Sequence, residues 1–217
     1  RDAAPTYTNT ISVQGGNDRV KFFTSLGSYN QEGAVKRTSY DKYYFRSNLD
    51  AKITDNFDYS MNLYGSVDNQ KSPGASVSPN AYAGVFVQAM LSYPFLKPYT
   101  KDGMPIASMN TDGQGNNNPL AARDLSGRQT SKTTKFQGDI SLRYKLPLKG
   151  LSVKLDAAFL KTHTMRKAEA TPYKVFSWNQ TTHQGNVENG RIWSMASVSN
   201  WYGSLQRYTI RPTVEYN

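Results

Sequence analysis

The stretch FDYSMNLYGSVD, residues 57–68, decides the fold: Phe57, Tyr59, Met61, Leu63, Gly65 and Val67 alternate with Asp58, Ser60, Asn62, Tyr64, Ser66 and Asp68. A β-strand sends successive side chains to opposite faces, so this spacing predicts a strand with one apolar and one polar face. The pattern recurs downstream, where Phe136, Gly138, Ile140, Leu142, Tyr144 and Leu146 oppose Lys135, Gln137, Asp139, Ser141, Arg143 and Lys145. It recurs upstream, where Tyr43, Phe45, Ser47, Leu49, Ala51 and Ile53 oppose Tyr44, Arg46, Asn48, Asp50, Lys52 and Thr54. Leu151, Val153, Leu155, Ala157 and Phe159 make another such face. Weaker versions contain Ile11 and Val13, then Val20, Phe22 and Leu26, and finally Ile210, Val214 and Tyr216.

These segments predict an all-β chain, an antiparallel meander with strands near 6–14, 20–30, 41–54, 57–68, 134–147, 150–163 and 200–217. The connections alternate in length. Gly15-Gly16-Asn17-Asp18, Asp55-Asn56 and Pro147-Leu148-Lys149-Gly150 suit tight hairpins. Between them fall links at 31–40, 69–133 and 164–190. Every short turn therefore lies at one end of the sheet. A compact soluble domain rarely carries so long a connection as 69–133, whereas a membrane barrel pairs short periplasmic turns with long extracellular loops. Aromatic residues gather near strand ends, at Tyr43, Tyr44, Phe45, Phe57 and Tyr144, as suits a lipid–water interface. A soluble β-sandwich, for example a carbohydrate-binding module, shares both the alternation and the aromatics. Periodicity alone does not separate the two, but sandwich strands average about five or six residues and these are longer.

Composition narrows the function. The chain has 15 Tyr and 9 Phe, no Cys and a net charge of +10, with a mean hydropathy of -0.66. Its basic residues are scattered, with no run longer than a pair such as Lys36-Arg37, which argues against nucleic acid and suits anionic lipid headgroups or lipopolysaccharide. No segment approaches the roughly 20 consecutive apolar residues of a membrane-spanning helix. The sequence opens at Arg1 and stops at Asn217 within a strand-like pattern, as a piece of a longer protein would.

The residues do not assemble an enzyme. There is no Gly-x-Ser-x-Gly elbow, and His163 and His183, the two histidines, are too far apart for a metal-binding helix face and read as loop residues. Asp139 and Asp156 fall on polar faces of neighbouring strands, but Arg143 and Lys154 supply ordinary charge partners there. Asn110-Thr111-Asp112-Gly113 lacks the spacing of an EF-hand and reads as a turn. Gly113-Gln114-Gly115 lacks the strand and helix that flank a phosphate-binding loop. No metal or cofactor is expected. Residues 80–92 form an uncharged, helix-compatible stretch that Asn80 could cap, followed by Tyr93, Phe95 and Tyr99. Such a cluster serves either as a partner surface or as packing within its own loop.

The stretch ISVQGGNDRVKFFTSLGSYNQEGAVKRTSYDKYYFRSNLDAKIT, Ile11 to Thr54, resembles the early barrel of SusC/RagA-type TonB-dependent transporters of Bacteroidetes. Tyr93-Pro94-Phe95-Leu96-Lys97-Pro98-Tyr99 and Asn118-Pro119-Leu120-Ala121 look like that family's long extracellular loop. The resemblance implies a transmembrane barrel of about 22 strands occluded by a plug. Neither the plug nor the remaining barrel is in this chain. It further implies nutrient import, of oligosaccharides or peptides, across a Gram-negative outer membrane. The partners it implies are TonB, reached through an N-terminal region, and a SusD-like surface lipoprotein. A porin without TonB coupling is the third reading. Substrate contacts are expected from the polar wall, at Arg46, Asn48, Asn62, Tyr64, Asp139 and Arg143, and from loop aromatics Tyr93, Phe95 and Tyr99.

Overall fold

The computed structural model describes residues 3–74, 85, 89, 90, 92, 97–107, 118–179, 184–192 and 195–216, with 177–179 and 184–192 as backbone only. Strands β1 (Thr6–Gly16), β2 (Val20–Glu32), β3 (Ser39–Thr54) and β4 (Phe57–Pro73) are followed by helix α1 (Pro119–Leu125). Then come β5 (Gly127–Lys145), β6 (Leu151–Ala170), a hairpin of β7 (Tyr173–Asn179) and β8 (Gln184–Ile192), and β9 (Ser197–Tyr216). Seven strands form one antiparallel sheet in the order β1-β2-β3-β4-β5-β6-β9, and β7-β8 stands apart.

Local chemistry sets the turns. In the β1–β2 turn the Asn17 side chain accepts from the backbone amides of Arg19 and Val20, an Asx turn that replaces ladder hydrogen bonds. Gly16 adopts φ +151, and a Cβ there would lie 2.2 Å from the Val20 carbonyl oxygen. The β5–β6 turn closes through Gly150 at φ 84 and the bond from Leu151 N to the Leu148 carbonyl, 3.0 Å.

The register joins the alternating patterns into continuous faces. Leu49 pairs with Met61, Met61 with Ile140, Ile140 with Ala157 and Ala157 with Ile210. The next row runs Ala51, Tyr59, Leu142, Leu155, Pro212. On β5 the apolar band extends from Phe136 to Tyr144, about the nine to eleven residues that a tilted strand needs to cross hydrocarbon. Glycines let rings lie flat on this face: the Phe45 ring occupies the space above Gly65, where a Cβ would sit 2.2 Å from it. Phe45, Phe136 and Phe159 form an aromatic chain, with centroids 6.2 and 5.2 Å apart.

No second large sheet covers the apolar face among the described residues, and Ile11, Tyr208 and Ile210 are each more than 70% exposed. The sandwich alternative fails on this point, because a sandwich buries that face against a partner sheet. The buried apolar residues lie instead at the loop end, where Ala107, Ala121, Ala122, Tyr173 and Val175 pack together with Val85 against them.

The expected element limits need correction at that end. The link expected at 31–40 shrinks to 33–38, the one at 69–133 to 74–126, and β6 continues to Ala170 where 164–190 was expected as loop. At the opposite end residues 146 and 147 belong to a turn rather than to β5, and at the loop end the expected loop 164–190 contains β7 and most of β8. The physical reason is that 127–133 and 164–170 are largely polar on both faces. Backbone pairing continues there without an apolar face to announce it. His163, expected in a loop, is a strand residue exposed on the apolar side of β6; His183 lies outside the described residues.

Candidate functional site

The polar face of the sheet is a wall in which side chains from different strands meet by register. Arg46 lies directly opposite Tyr64, and Tyr64 opposite Gln137. One row further, Asn48 faces Asn62 and Asn62 faces Asp139. The structure thus brings together five of the residues singled out from the sequence. Gln137 also donates to Asp139, 3.2 Å. Arg143 lies lower on β5, opposite Asp58 and Lys154, and its guanidinium pairs with Glu215 at 3.4 Å.

The Asp139 and Asp156 carboxylates line one depression of about 320 Å³ with Asn62, Ser141, Lys154 and Arg211. Asp156 is committed to cations, with Lys154 at 3.0 Å and Arg211 at 3.3 Å. A carboxylate so paired serves as charge balance in a polar wall rather than as a proton donor. Arg143, expected as a partner for these carboxylates, turns to Glu215 instead.

The wall has members that sequence reasoning did not single out. Above Tyr64, the Tyr40 hydroxyl donates to Asp68 at 3.2 Å, and Lys42 lies 3.9 Å from the same carboxylate. All three share the polar parity of β3 and β4, which was the available signal. Tyr29 stacks edge-on against Tyr40, centroids 6.0 Å apart, so aromatic rings line the wall toward the long-loop end.

The described part of the connection between β4 and β5 builds local structure of its own. Asn118 is 1% exposed. Its side-chain oxygen caps α1 by accepting from Leu120 N and Ala121 N, and its amide donates to the carbonyls of Pro98 and Ile106. Pro119 follows at the first helical position, where its missing N–H costs nothing. Residues 105–107 pair alongside β7, with Phe176 N bonded to the Pro105 carbonyl and Ala107 N to that of Phe176. Arg37, at φ 68, reaches over from the β2–β3 connection to carbonyls in the last turn of α1 and to that of Gly127 at the start of β5.

Tyr99 is half-buried at this small core. Burial raises its hydroxyl pKa, with the Asp124 carboxylate adding to the effect. Burial likewise pushes the Tyr173 hydroxyl up, and that oxygen has no hydrogen-bond partner among the described residues. Tyr93 and Phe95, the other loop aromatics, lie outside the described residues. So do the turn at Asn110–Gly113, Gly115 and much of 80–92. Within that stretch Val85, Ala89 and Met90 are helical; Val85 packs on the loop core and Met90 is exposed.

A single antiparallel sheet of long strands, apolar on one face and polar on the other, with short turns at one end and folded loops at the other, is the wall architecture of outer-membrane β-barrels. No protein-family model matches the chain. Over 142 residues it is 30% identical to TonB-dependent receptor P26 of Formosa agariphila, a match covering 65% of this chain and 13% of that receptor. TonB-dependent receptor P3 of the same organism is 25% identical over 156 residues, covering 71% of this chain and 15% of the receptor. The chain therefore spans only a small part of the length of its curated relatives. Its fold matches the RagAB peptide importer in the closed-closed state with a TM-score of 0.59 at 16% identity, covering 99% of this chain and 30% of that one. The open-open state of the same importer gives 0.57, also at 16% identity and with the same coverage. Over part of its length the chain is thus similar to TonB-dependent receptors, and it has the fold of part of a RagAB importer chain.

Proposed function

We propose that this chain forms one arc of the barrel wall of an outer-membrane nutrient importer energised through TonB, carrying oligosaccharides or peptides. The reading rests on the polar face, where the Arg46–Tyr64 and Asn48–Asn62–Asp139 rows set charge, amides and a ring side by side. Amide and carboxylate groups recognise hydroxyls and peptide bonds alike, and rings stack on sugars or side chains. The apolar face meets lipid, and the turns at 15–18, 55–56 and 147–150 are periplasmic. The long connections, whose sequence includes Tyr93, Phe95 and Tyr99, stand on the cell surface and contact a SusD-like lipoprotein. Support comes from relatives named as TonB-dependent receptors and from fold likeness to a peptide importer.

Deleting 81–99 from the full-length transporter tests the reading. Barrel assembly is expected to persist while the lipoprotein no longer co-purifies and uptake falls. Unchanged co-purification together with unchanged uptake refutes it.

A further inference from the structure

Charge on the apolar face is confined to one end. The rows from Met61–Ile140–Ala157 down to Tyr144–Val153–Val214 hold no charged side chain. Cations begin at the aromatic row, where Lys161 is the cross-strand partner of Phe136, and continue toward the long loops. His163 lies opposite Thr134, Lys132 opposite Met165, and Lys167 opposite Thr130, which in turn faces Lys71. Local acids leave Lys132 and Lys161 without a partner carboxylate among the described residues. Glu169 is taken by Lys167 at 2.6 Å, and Asp41, in the row of Lys132, sits two strands away and accepts from Asn30.

Beside this cluster lies a groove of about 590 Å³ lined by Ile11, Leu26, Tyr43, Phe45, Val67 and Phe136. An unpaired ammonium at the rim of an apolar band is costly unless it reaches water or an anion, and lysine stems extend along apolar surface to do so. The occupant must therefore carry anionic oxygen at the long-loop end and hydrocarbon directly below it.

We propose that β3–β6 seat a phosphorylated glycolipid of the outer leaflet. Its phosphate lies between Lys132 and Lys161, with His163 in the row between them, and one acyl chain runs along the groove against the rings of Phe45 and Phe136. The site rests on the proposed placement of the apolar face in lipid with the long loops outside. An ordinary phospholipid of the opposite leaflet would meet only the uncharged rows.

The test uses the full-length transporter, purified in mild detergent from outer membranes, with retained glycolipid measured by native mass spectrometry. Wild-type protein is expected to retain one phosphorylated glycolipid, and the Lys132→Glu/Lys161→Glu variant to retain about tenfold less or lower. Lys132→Gln/Lys161→Gln supplies the same comparison if charge reversal impairs assembly, which heat-modifiable gel migration reports. Equal retention by wild type and variant overturns the site. So does equal retention of enzymatically dephosphorylated glycolipid, or displacement by phosphatidylglycerol at matched concentration. Nutrient uptake separates the two readings: its absence in the wild type defeats the transport proposal, whereas unchanged glycolipid retention in the variants defeats this one.

Discussion

The guanidinium of Arg37 donates to the backbone carbonyl of Arg123 at 2.8 Å, joining two connections 86 positions apart. The same group bonds the carbonyls of Asp124 and, at 2.9 Å, Gly127. The Arg123 and Asp124 oxygens lie at the C-terminal end of α1, where carbonyls lack helical partners and the helix dipole favours a cation, and Gly127 opens β5 just beyond it. Arg37→Ala is expected to loosen the α1 end by about 2 kcal/mol, the scale of charge-assisted hydrogen bonds. The measurement is amide exchange at 121–128 in the full-length barrel, with the strands unchanged. Arg37→Lys should not restore protection, since an ammonium lacks the planar fork that serves several carbonyls. Full protection in the lysine variant sinks the idea.

Asn118 concentrates more of the loop's order in one side chain. It supplies a helix cap and bridges two carbonyls from 98–106 while almost wholly buried. Asn118→Ala removes the cap and orphans buried polar groups, an expected cost of about 3 kcal/mol to the loop. Asn118→Asp keeps the acceptors and loses the donors, so it should be intermediate in capping yet still expose 98–107 to protease. A protease-resistant Asn118→Ala loop contradicts this assignment.

Acid acts on the same helix end through Asp124. The Arg123 guanidinium grips its carboxylate at 2.7 and 2.6 Å and holds its pKa below the ordinary carboxylate range. A carboxylate with a depressed folded pKa contributes stability above the unfolded value of about 4, and loses it as pH falls through the lower folded value. Loop protection is therefore expected to be flat from neutral pH down to about 4 and to weaken below it. Asp124→Asn should start weaker and show less of this acid-dependent loss.

How much of this was legible follows from what a membrane wall demands of each residue. Between Phe57 and Val67, or Phe136 and Tyr144, one face is apolar and the other polar, so alternation announces the strand. Beyond the band, Arg128 to Thr133 and Thr164 to Lys167 are largely polar on both sides, and the strand persists on backbone pairing alone. Helix α1 is too short for a periodic signal, although Asn118-Pro119 is a readable helix start. The candidate rows were half legible. The Asp55-Asn56 hairpin sets Asn48 against Asn62, but no local feature sets Asn62 against Asp139, because the long link leaves that register to the sheet itself. Arg37 had no local signal at all, since its partners come from the far side of the same link.

Neighbouring residues on β5 separate the two faces most directly. Ile140 lies in the middle of the apolar band, opposite Met61 and Ala157, and Asp139 points to the polar wall beside Asn62. If the apolar face meets lipid, Ile140→Arg places a cation near the bilayer midplane and should cost about 2–4 kcal/mol of folding stability. Asp139→Arg changes only the charge of a hydrated wall and should cost less than about 1 kcal/mol. It should instead alter uptake, because a cation replaces an acceptor beside Asn62 and Tyr64. Urea titration of the full-length barrel in phospholipid vesicles measures the first pair of values, and uptake at matched surface abundance measures the last. Equal destabilisation by the two arginines would mean that both faces meet the same medium, which a barrel wall does not allow.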